Sequence, residues 1–149
     1  MAAQADIVRL LKEAAADMKR DAKGAVAKLE AAYALVRDGG SPDDIALVAE
    51  ELARGWARRK SSARSLHHAR TATKLAPAQK TSWTTLAKTC ELIASRTPED
   101  TKGRRARALY RAAAKGFEKA SSLTSDREDK HWLLELARDA ARQAKPPKA

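Results

Sequence analysis

The sequence predicts an all-α fold of about six helices, arranged as antiparallel helical hairpins that stack into a short α-solenoid or a helical bundle. Hydrophobic residues make up 44% of the chain and aromatic residues only 4%; most of the difference is alanine and leucine, which are strong helix formers. Apolar residues also recur at helical spacing, and clear helix-start signals separate the stretches. We expect one domain over residues 1–149, which is long enough to fold without disulfides or metal.

The first predicted helix is long and runs over residues 3–37. An apolar stripe marks it, formed by Ile7, Leu10, Leu11, Ala14, Met18, Ala22, Ala25, Leu29, Ala32 and Val36. Gly24 lowers its stability by about 1 kcal/mol and is a candidate position for a bend. Gly39 and Gly40 end the helix, because glycine accepts the left-handed conformation at a helix C-terminus.

The first predicted hairpin spans residues 42–76 and breaks near residues 60–62. Ser41 can cap its first helix, and Pro42 suits the first helical position because its missing N–H costs no hydrogen bond there. The break near residue 60 follows from the spacing of the apolar pattern, since local helix breakers are weak there. Pro77 then separates this hairpin from the next.

A second, extended hairpin is expected over residues 79–122, and a C-terminal capping helix over residues 126–144. Thr97-Pro98-Glu99-Asp100 repeats the arrangement of a cap, a proline and two acids before the fifth helix. Ser125-Asp126-Arg127-Glu128 has the pattern of a capping box before the sixth helix.

The net charge of +11 is concentrated in one part of the chain. Residues 58–119 contain 16 Lys and Arg and four acids, a net charge of +12, whereas the other residues contain 14 Lys and Arg and 15 acids, a net charge of −1. A local field of this sign favours an anionic partner: an acidic protein, a nucleic acid or an anionic surface.

No motif for catalysis, a cofactor or a metal is present, so we expect neither enzyme activity nor a cofactor. The three histidines lack the spacing of a metalloprotease helix, and there is no glycine-rich phosphate loop. Cys90 is the only cysteine, which excludes an intramolecular disulfide and favours a reducing compartment. Because we find neither an apolar run of about 20 residues nor a signal peptide, we expect a cytoplasmic protein without a membrane span.

A pattern of large and small residues over residues 46–79 begins again 34 positions after Leu52. The positions that carry it are Leu52, Ala53, Trp56, Ser65, Ala69, Ala72 and Pro77, and later Trp83, Leu86, Ala87, Ala113, Phe117, Ala120, Leu136 and Ala137. In this pattern residues 46–141 resemble the tetratricopeptide repeat family. Ala49 stands where the family usually has tryptophan, and the second helix of the second unit is about 14 positions late. A plain alanine-rich helical bundle is the alternative interpretation.

The resemblance implies a partner-binding groove along the first helices of the helix pairs. By position, this groove consists of Arg54, Arg58, Lys88, Arg138 and Arg142. Arginine binds carboxylates through two parallel hydrogen bonds, so we expect a non-enzymatic adaptor that binds an acidic protein or peptide. The chain contains no asparagine, so the two-carboxylate clamp of chaperone-binding family members is not implied.

Two alternatives stay open. The first is sequence-independent binding of nucleic acid by the basic region 58–119. Its most concentrated surface is a face of the fifth helix formed by Arg104, Arg107, Arg111 and Lys115. Cations near a helix N-terminus oppose the helix dipole, which favours a binding role for them. The second alternative is self-assembly into a homo-oligomer through exposed apolar helix faces.

Overall fold

The computed structural model describes residues 2–97 and 103–146. These residues form seven α-helices and contain no β-strand. The helices are α1 (Ala2–Asp17), α2 (Ala22–Arg37), α3 (Pro42–Arg58), α4 (Ser62–Leu75), α5 (Lys80–Arg96), α6 (Arg104–Ser122) and α7 (Arg127–Ala144). The all-α prediction is confirmed for these residues, with one helix more than the six expected. The helices form two compact units, Met1–Ala76 and Pro77–Ala149.

The prediction of one long helix over residues 3–37 is wrong, because the chain turns between Asp17 and Ala22. Asp21 caps α2, and its side chain accepts a hydrogen bond of 2.9 Å from the backbone N–H of Gly24. The Asp21 carboxylate lies directly against Gly24, where a Cβ atom would be 2.2 Å from one of its oxygens. The apolar residues keep their helical spacing in the sequence through this short turn, so the pattern predicted one helix where the chain forms two.

The first unit consists of two antiparallel hairpins, α1–α2 and α3–α4, with α2 packed against α3. Its core contains Ala14, Val26, Leu29, Val48, Leu52 and Trp56. Gly55 faces α2, where a Cβ atom would come within 2.8 Å of Val26. The absence of a side chain at Gly55 therefore brings the two helices close together, and a larger residue would force them apart.

The turn between α3 and α4 is formed by Lys60, which adopts a left-handed conformation with φ of 59°. The backbone N–H of Ser61 donates to the carbonyl of Trp56 at 2.9 Å, and that of Lys60 donates to the carbonyl of Ala57 at 3.0 Å. This is the hydrogen-bond pattern of a Schellman motif. The predicted break near residues 60–62 is confirmed, although the residue that makes it is a lysine instead of glycine.

The second unit packs α6 between α5 and α7. Phe117 is fully buried, and Gly116 lies close to α5, where a Cβ atom would come within 3.0 Å of Ala87. The N-termini of α5 and α7 are joined by an ion pair of 2.5 Å between Lys80 and Asp129. Leu86 and Leu136 are half-buried, so they cover the edge of the core instead of filling its centre.

The helix starts in the second unit agree with the sequence only in part. Of the proposed cap at Thr97-Pro98-Glu99-Asp100, the last three residues lie outside the described residues, and α6 is described from Arg104. Thr97 is the C-cap of α5, and its hydroxyl donates a hydrogen bond of 2.6 Å to the carbonyl of Ile93. In the predicted capping box the cap is Asp126 and not Ser125. The Asp126 side chain accepts a hydrogen bond of 2.8 Å from the backbone N–H of Asp129.

Replacing Leu52 with alanine should destabilise the first unit, because the side chain is completely buried. We expect Leu52→Ala to lower the free energy of unfolding by about 2–5 kcal/mol. The measurement is chemical denaturation followed by circular dichroism. Leu47→Ala is the matched control, since Leu47 lies on the same helix and is 50% exposed. Equal destabilisation by the two substitutions would contradict this description of the core.

Candidate functional site

The most strongly cationic helix among the described residues is α6. Its 19 residues contain six Lys and Arg and one acid, a net charge of +5, whereas α7 contains four cations and four acids. Buried residues such as Ala113, Phe117 and Ala120 attach one face of α6 to the unit, which leaves the opposite face in solvent. Besides Glu118, which is exposed three positions from Lys115, that exposed face carries Arg104, Ala108, Arg111, Ala112, Lys115 and Lys119. We refer to these six residues as the α6 face.

Helical spacing explains why these side chains lie together. Positions 104, 108, 111 and 115 are separated by four, three and four residues, so they lie on one side of the helix over about 16 Å. Arg107 was predicted to belong to this surface, but it is half-buried and lies at its edge. Ala108 and Ala112 are exposed between the cations, so the surface combines positive charge with small apolar residues.

The N-terminus of α6 adds the partial positive charge of the helix dipole next to these cations. Gly103 occupies the cap position in a left-handed conformation with φ of 62°, and no side chain caps the helix there. The first turn contains no acid. Cations at this end of a helix are unfavourable by about 0.3–1 kcal/mol each, because they face the positive end of the helix dipole. The arrangement costs stability, which is consistent with a role other than folding.

The five residues of the predicted partner-binding groove are all exposed, but they are divided between the two units. Arg54 and Arg58 lie on α3 in the first unit, whereas Lys88, Arg138 and Arg142 lie on α5 and α7 in the second. Their convergence in one groove stays a prediction.

Three of these groove arginines are already paired with an acid three positions away on the same helix. The pairs are Arg54 with Glu51 at 2.5 Å, Arg138 with Glu135 at 2.7 Å, and Arg142 with Asp139. Exposed pairs of this kind contribute little to stability, but each brings a negative charge next to the arginine. The positive potential of these positions is therefore weaker than their side chains alone would give.

A polar cluster in the first unit was not predicted. Trp56 donates a hydrogen bond of 3.1 Å from its Nε1 to the Glu30 carboxylate, and the same carboxylate oxygen lies 3.9 Å from Nε2 of His68. The His68 ring meets the Tyr33 ring edge-on, with 5.6 Å between their centroids. The Arg64 guanidinium lies 4.4 Å from the centre of the Trp56 ring. Residues from three helices meet here, so sequence spacing gave no indication of the cluster.

His68 is buried in this cluster, and its Nδ1 atom has no hydrogen-bond partner among the described residues. Burial lowers the pKa of His68 below its ordinary value of 6.5, because the charged imidazolium loses its hydration. The nearby Glu30 carboxylate acts in the opposite direction, and His67 adds to the lowering. The neutral ring is therefore the form that suits the folded state at neutral pH.

The described residues contain neither a metal-binding group nor a membrane-spanning helix. No group of three or more His, Cys, Asp or Glu side chains there could hold a metal ion. Within the same residues, none of the helices is both long and apolar enough to cross a membrane. Cys90 is buried on α5 of the second unit, consistent with a small packed side chain.

The buried His68 predicts a pH dependence of stability. Because its pKa is lower in the folded state, the unfolded chain binds more protons at acidic pH, and the unfolding free energy falls as the pH drops below 6.5. The maximum slope is about 1.4 kcal/mol per pH unit for one proton. We expect His68→Gln to flatten the denaturation profile between neutral and mildly acidic pH. His67→Gln is the matched control, and an equal slope in both variants would contradict the assignment.

Comparisons with known proteins do not assign this chain to a family. No protein-family model matches it, and no curated protein is detectably similar to it in sequence.

Proposed function

We propose that this chain is a non-enzymatic interaction module that binds an acidic segment of a partner protein, and that the α6 face is its principal contact. The observation that carries the proposal is the excess of Lys and Arg over acidic residues within one exposed helix, six against one. The only acid of α6 is Glu118, so pairing within the helix can neutralise at most one of its six cations. No carboxylate lies three or four positions from Arg111.

The combination of charge and small residues supports an acidic protein as the partner. Ala108 and Ala112 leave the centre of the face shallow, so a partner helix could approach the α6 backbone closely. Arg104, Arg111 and Lys115 surround that strip and suit carboxylates on the partner. Contact between a helix and such a strip buries apolar surface as well as pairing charges, whereas a phosphate backbone would use only the charges.

The predicted groove is the competing location for the same activity. We propose, on the resemblance to tetratricopeptide repeats, that the helix pairs form such repeats and that Arg54, Arg58, Lys88, Arg138 and Arg142 contribute secondary contacts. The α6 face is preferred because three of the five groove residues have an acid paired to them on their own helix. A cytoplasmic adaptor role is the corresponding biological proposal.

Charge reversal separates the two locations. Arg104→Glu with Arg111→Glu should weaken binding of a fluorescent acidic helical peptide by about tenfold or more, because both substitutions place like charges opposite the ligand. Arg54→Glu with Lys88→Glu is the control pair and changes the net charge by the same amount. Fluorescence anisotropy at physiological salt measures both.

Each outcome of that comparison has a definite meaning. Loss of binding only in the control pair would move the site to the predicted groove. Unchanged binding in both pairs would reject the excess charge as the recognition element. A peptide of the same length in which lysine replaces glutamate should show no loss of binding in the variant with Arg104→Glu and Arg111→Glu.

Nucleic acid is the second candidate, favoured by a cationic helix in each unit, α4 in the first and α6 in the second. The 14 residues of α4 contain Arg64, Arg70 and Lys74 and no acid. If phosphates are the ligand, duplex binding should be independent of sequence and steeply dependent on salt, and losing two α6 cations should reduce the logarithmic salt slope by about 2. Duplex affinity that is weak and equal in wild type and in the α6 variant would exclude this candidate.

A further inference from the structure

We propose that a groove at one end of the first unit binds a basic amphipathic helix of a partner protein. The groove lies between the start of α1, the end of α2 and the start of α3, and has a volume of about 370 Å³. We refer to it as the α1–α3 groove. Ile7, Leu11, Val36 and Val48 form its apolar floor, and Val8, Leu35, Leu47, Asp38 and Asp44 border it. The proposal does not depend on the proposed function of the α6 face, because it concerns another unit and a partner of opposite charge.

The apolar side chains at this groove are unusually exposed. Val8 is 45% exposed, Leu35 is 37% exposed and Leu47 is 50% exposed. These are three of the four large hydrophobic residues that are exposed among the described residues, and all three border this one groove. Scattered exposed hydrophobic residues need no explanation, but a contiguous group around a concavity is typical of a binding surface.

The charges around the groove determine the kind of partner. Asp38 and Asp44 border it, and no lysine or arginine is among the described residues that line it. The C-terminus of α2 contributes partial negative charge, while the nearby N-termini of α1 and α3 contribute partial positive charge. Three cations follow lining residues in the sequence: Arg9, Lys12 and Arg37. Arg9 is paired with Asp6 and Glu13, and the Arg37 guanidinium lies 5.6 Å from the centre of the Tyr33 ring. A ligand with apolar side chains flanked by cations therefore complements this surface.

The shape of the groove favours a helix as the ligand. Three helix ends border an apolar floor that is open on one side, so a ligand can enter along it without separating the helices. An amphipathic helix fills such a groove with residues at positions i, i+3 or i+4 and i+7. Lysine or arginine next to these anchors would then lie near Asp38 and Asp44.

A second copy of this chain is a poorer occupant. The remaining exposed large hydrophobic residue is Trp132, which is 61% exposed on α7. On that helix Glu128 and Glu135 lie four positions before and three positions after Trp132, on the same side. Inserting Trp132 into the α1–α3 groove would bring these acids towards Asp38 and Asp44, and the repulsion opposes the contact.

Peptide binding to the full chain tests the proposal. The probe is a synthetic helical peptide with leucines at positions i, i+3 and i+7 and lysines on both sides of the leucine stripe; its partner probe has glutamate in place of each lysine. Fluorescence anisotropy should detect binding of the lysine peptide. Leu47→Lys should weaken that binding by about tenfold or more, because it removes an apolar contact and adds a repelling charge. Any binding of the glutamate peptide belongs to the α6 face and should not be weakened by Leu47→Lys.

Two neighbouring acids provide a matched pair of variants. Asp43 and Asp44 both occupy the exposed first turn of α3, but only Asp44 lines the groove. Asp44→Lys should weaken binding of the lysine peptide by about tenfold, whereas Asp43→Lys should change that binding by about twofold or less. The two variants have the same net charge, so a difference between them reflects the position of the charge at the groove. Circular dichroism verifies that all variants retain their helix content.

The contradicting results are distinct. Equal weakening by Asp43→Lys and Asp44→Lys would show that only overall charge matters and would overturn the proposal, as would lysine-peptide binding that Leu47→Lys leaves unchanged. No binding of the lysine peptide would also overturn it. Sedimentation supplies the last control: a wild-type dimer that Leu47→Lys dissociates would assign the groove to a second copy of the chain instead.

Discussion

The reversal of the chain at Asp21 determines what the first unit can present to a partner. The chain turns between Asp17 and Ala22, so α1 packs back along α2. Asp21 caps α2 by accepting a hydrogen bond from the backbone N–H of Gly24. Lys28 stabilises the same hairpin by pairing with Asp17, a contact that raises the pKa of the lysine. The α1–α3 groove is bordered by the start of α1 and the end of α2, which this turn places in one hairpin.

Small residues at helix contacts are the second constraint, and they affect both units. Gly55 meets Val26 in the first unit, and Gly116 meets Ala87 in the second. Helices that approach this closely are held by alanine-rich cores with few large side chains, so burial is distributed over many small contacts. The long charged side chains are then left on the outside of each helix, where they are available to a partner.

The two candidate surfaces differ in chemistry because one is the exposed side of a single helix and the other is the meeting point of three helix ends. On α6 the exposed side is cationic around Ala108 and Ala112, and a single acid limits neutralisation within the helix. At the α1–α3 groove, three helix ends meet, and apolar side chains are left exposed beside Asp38 and Asp44. One chain thus carries a basic surface on one unit and an acidic, apolar surface on the other, which suits a module that contacts two kinds of partner segment.

The sequence by itself determined the all-α class, the end of α3 near Lys60 and the cap at Ser41, whose side chain accepts a hydrogen bond from the backbone N–H of Asp44, because each depends on local backbone chemistry or helical periodicity. It also predicted which cations share one side of α6, since that follows from spacing alone, but not that Arg107 is half-buried. Only the tertiary structure decided the break at Asp21, where an uninterrupted apolar stripe concealed a turn. Tertiary structure alone also brought Glu30, Trp56 and His68 together and left Val8, Leu35 and Leu47 around one groove. Those arrangements join residues of different helices, and periodicity within one helix contains no information about which neighbour covers it.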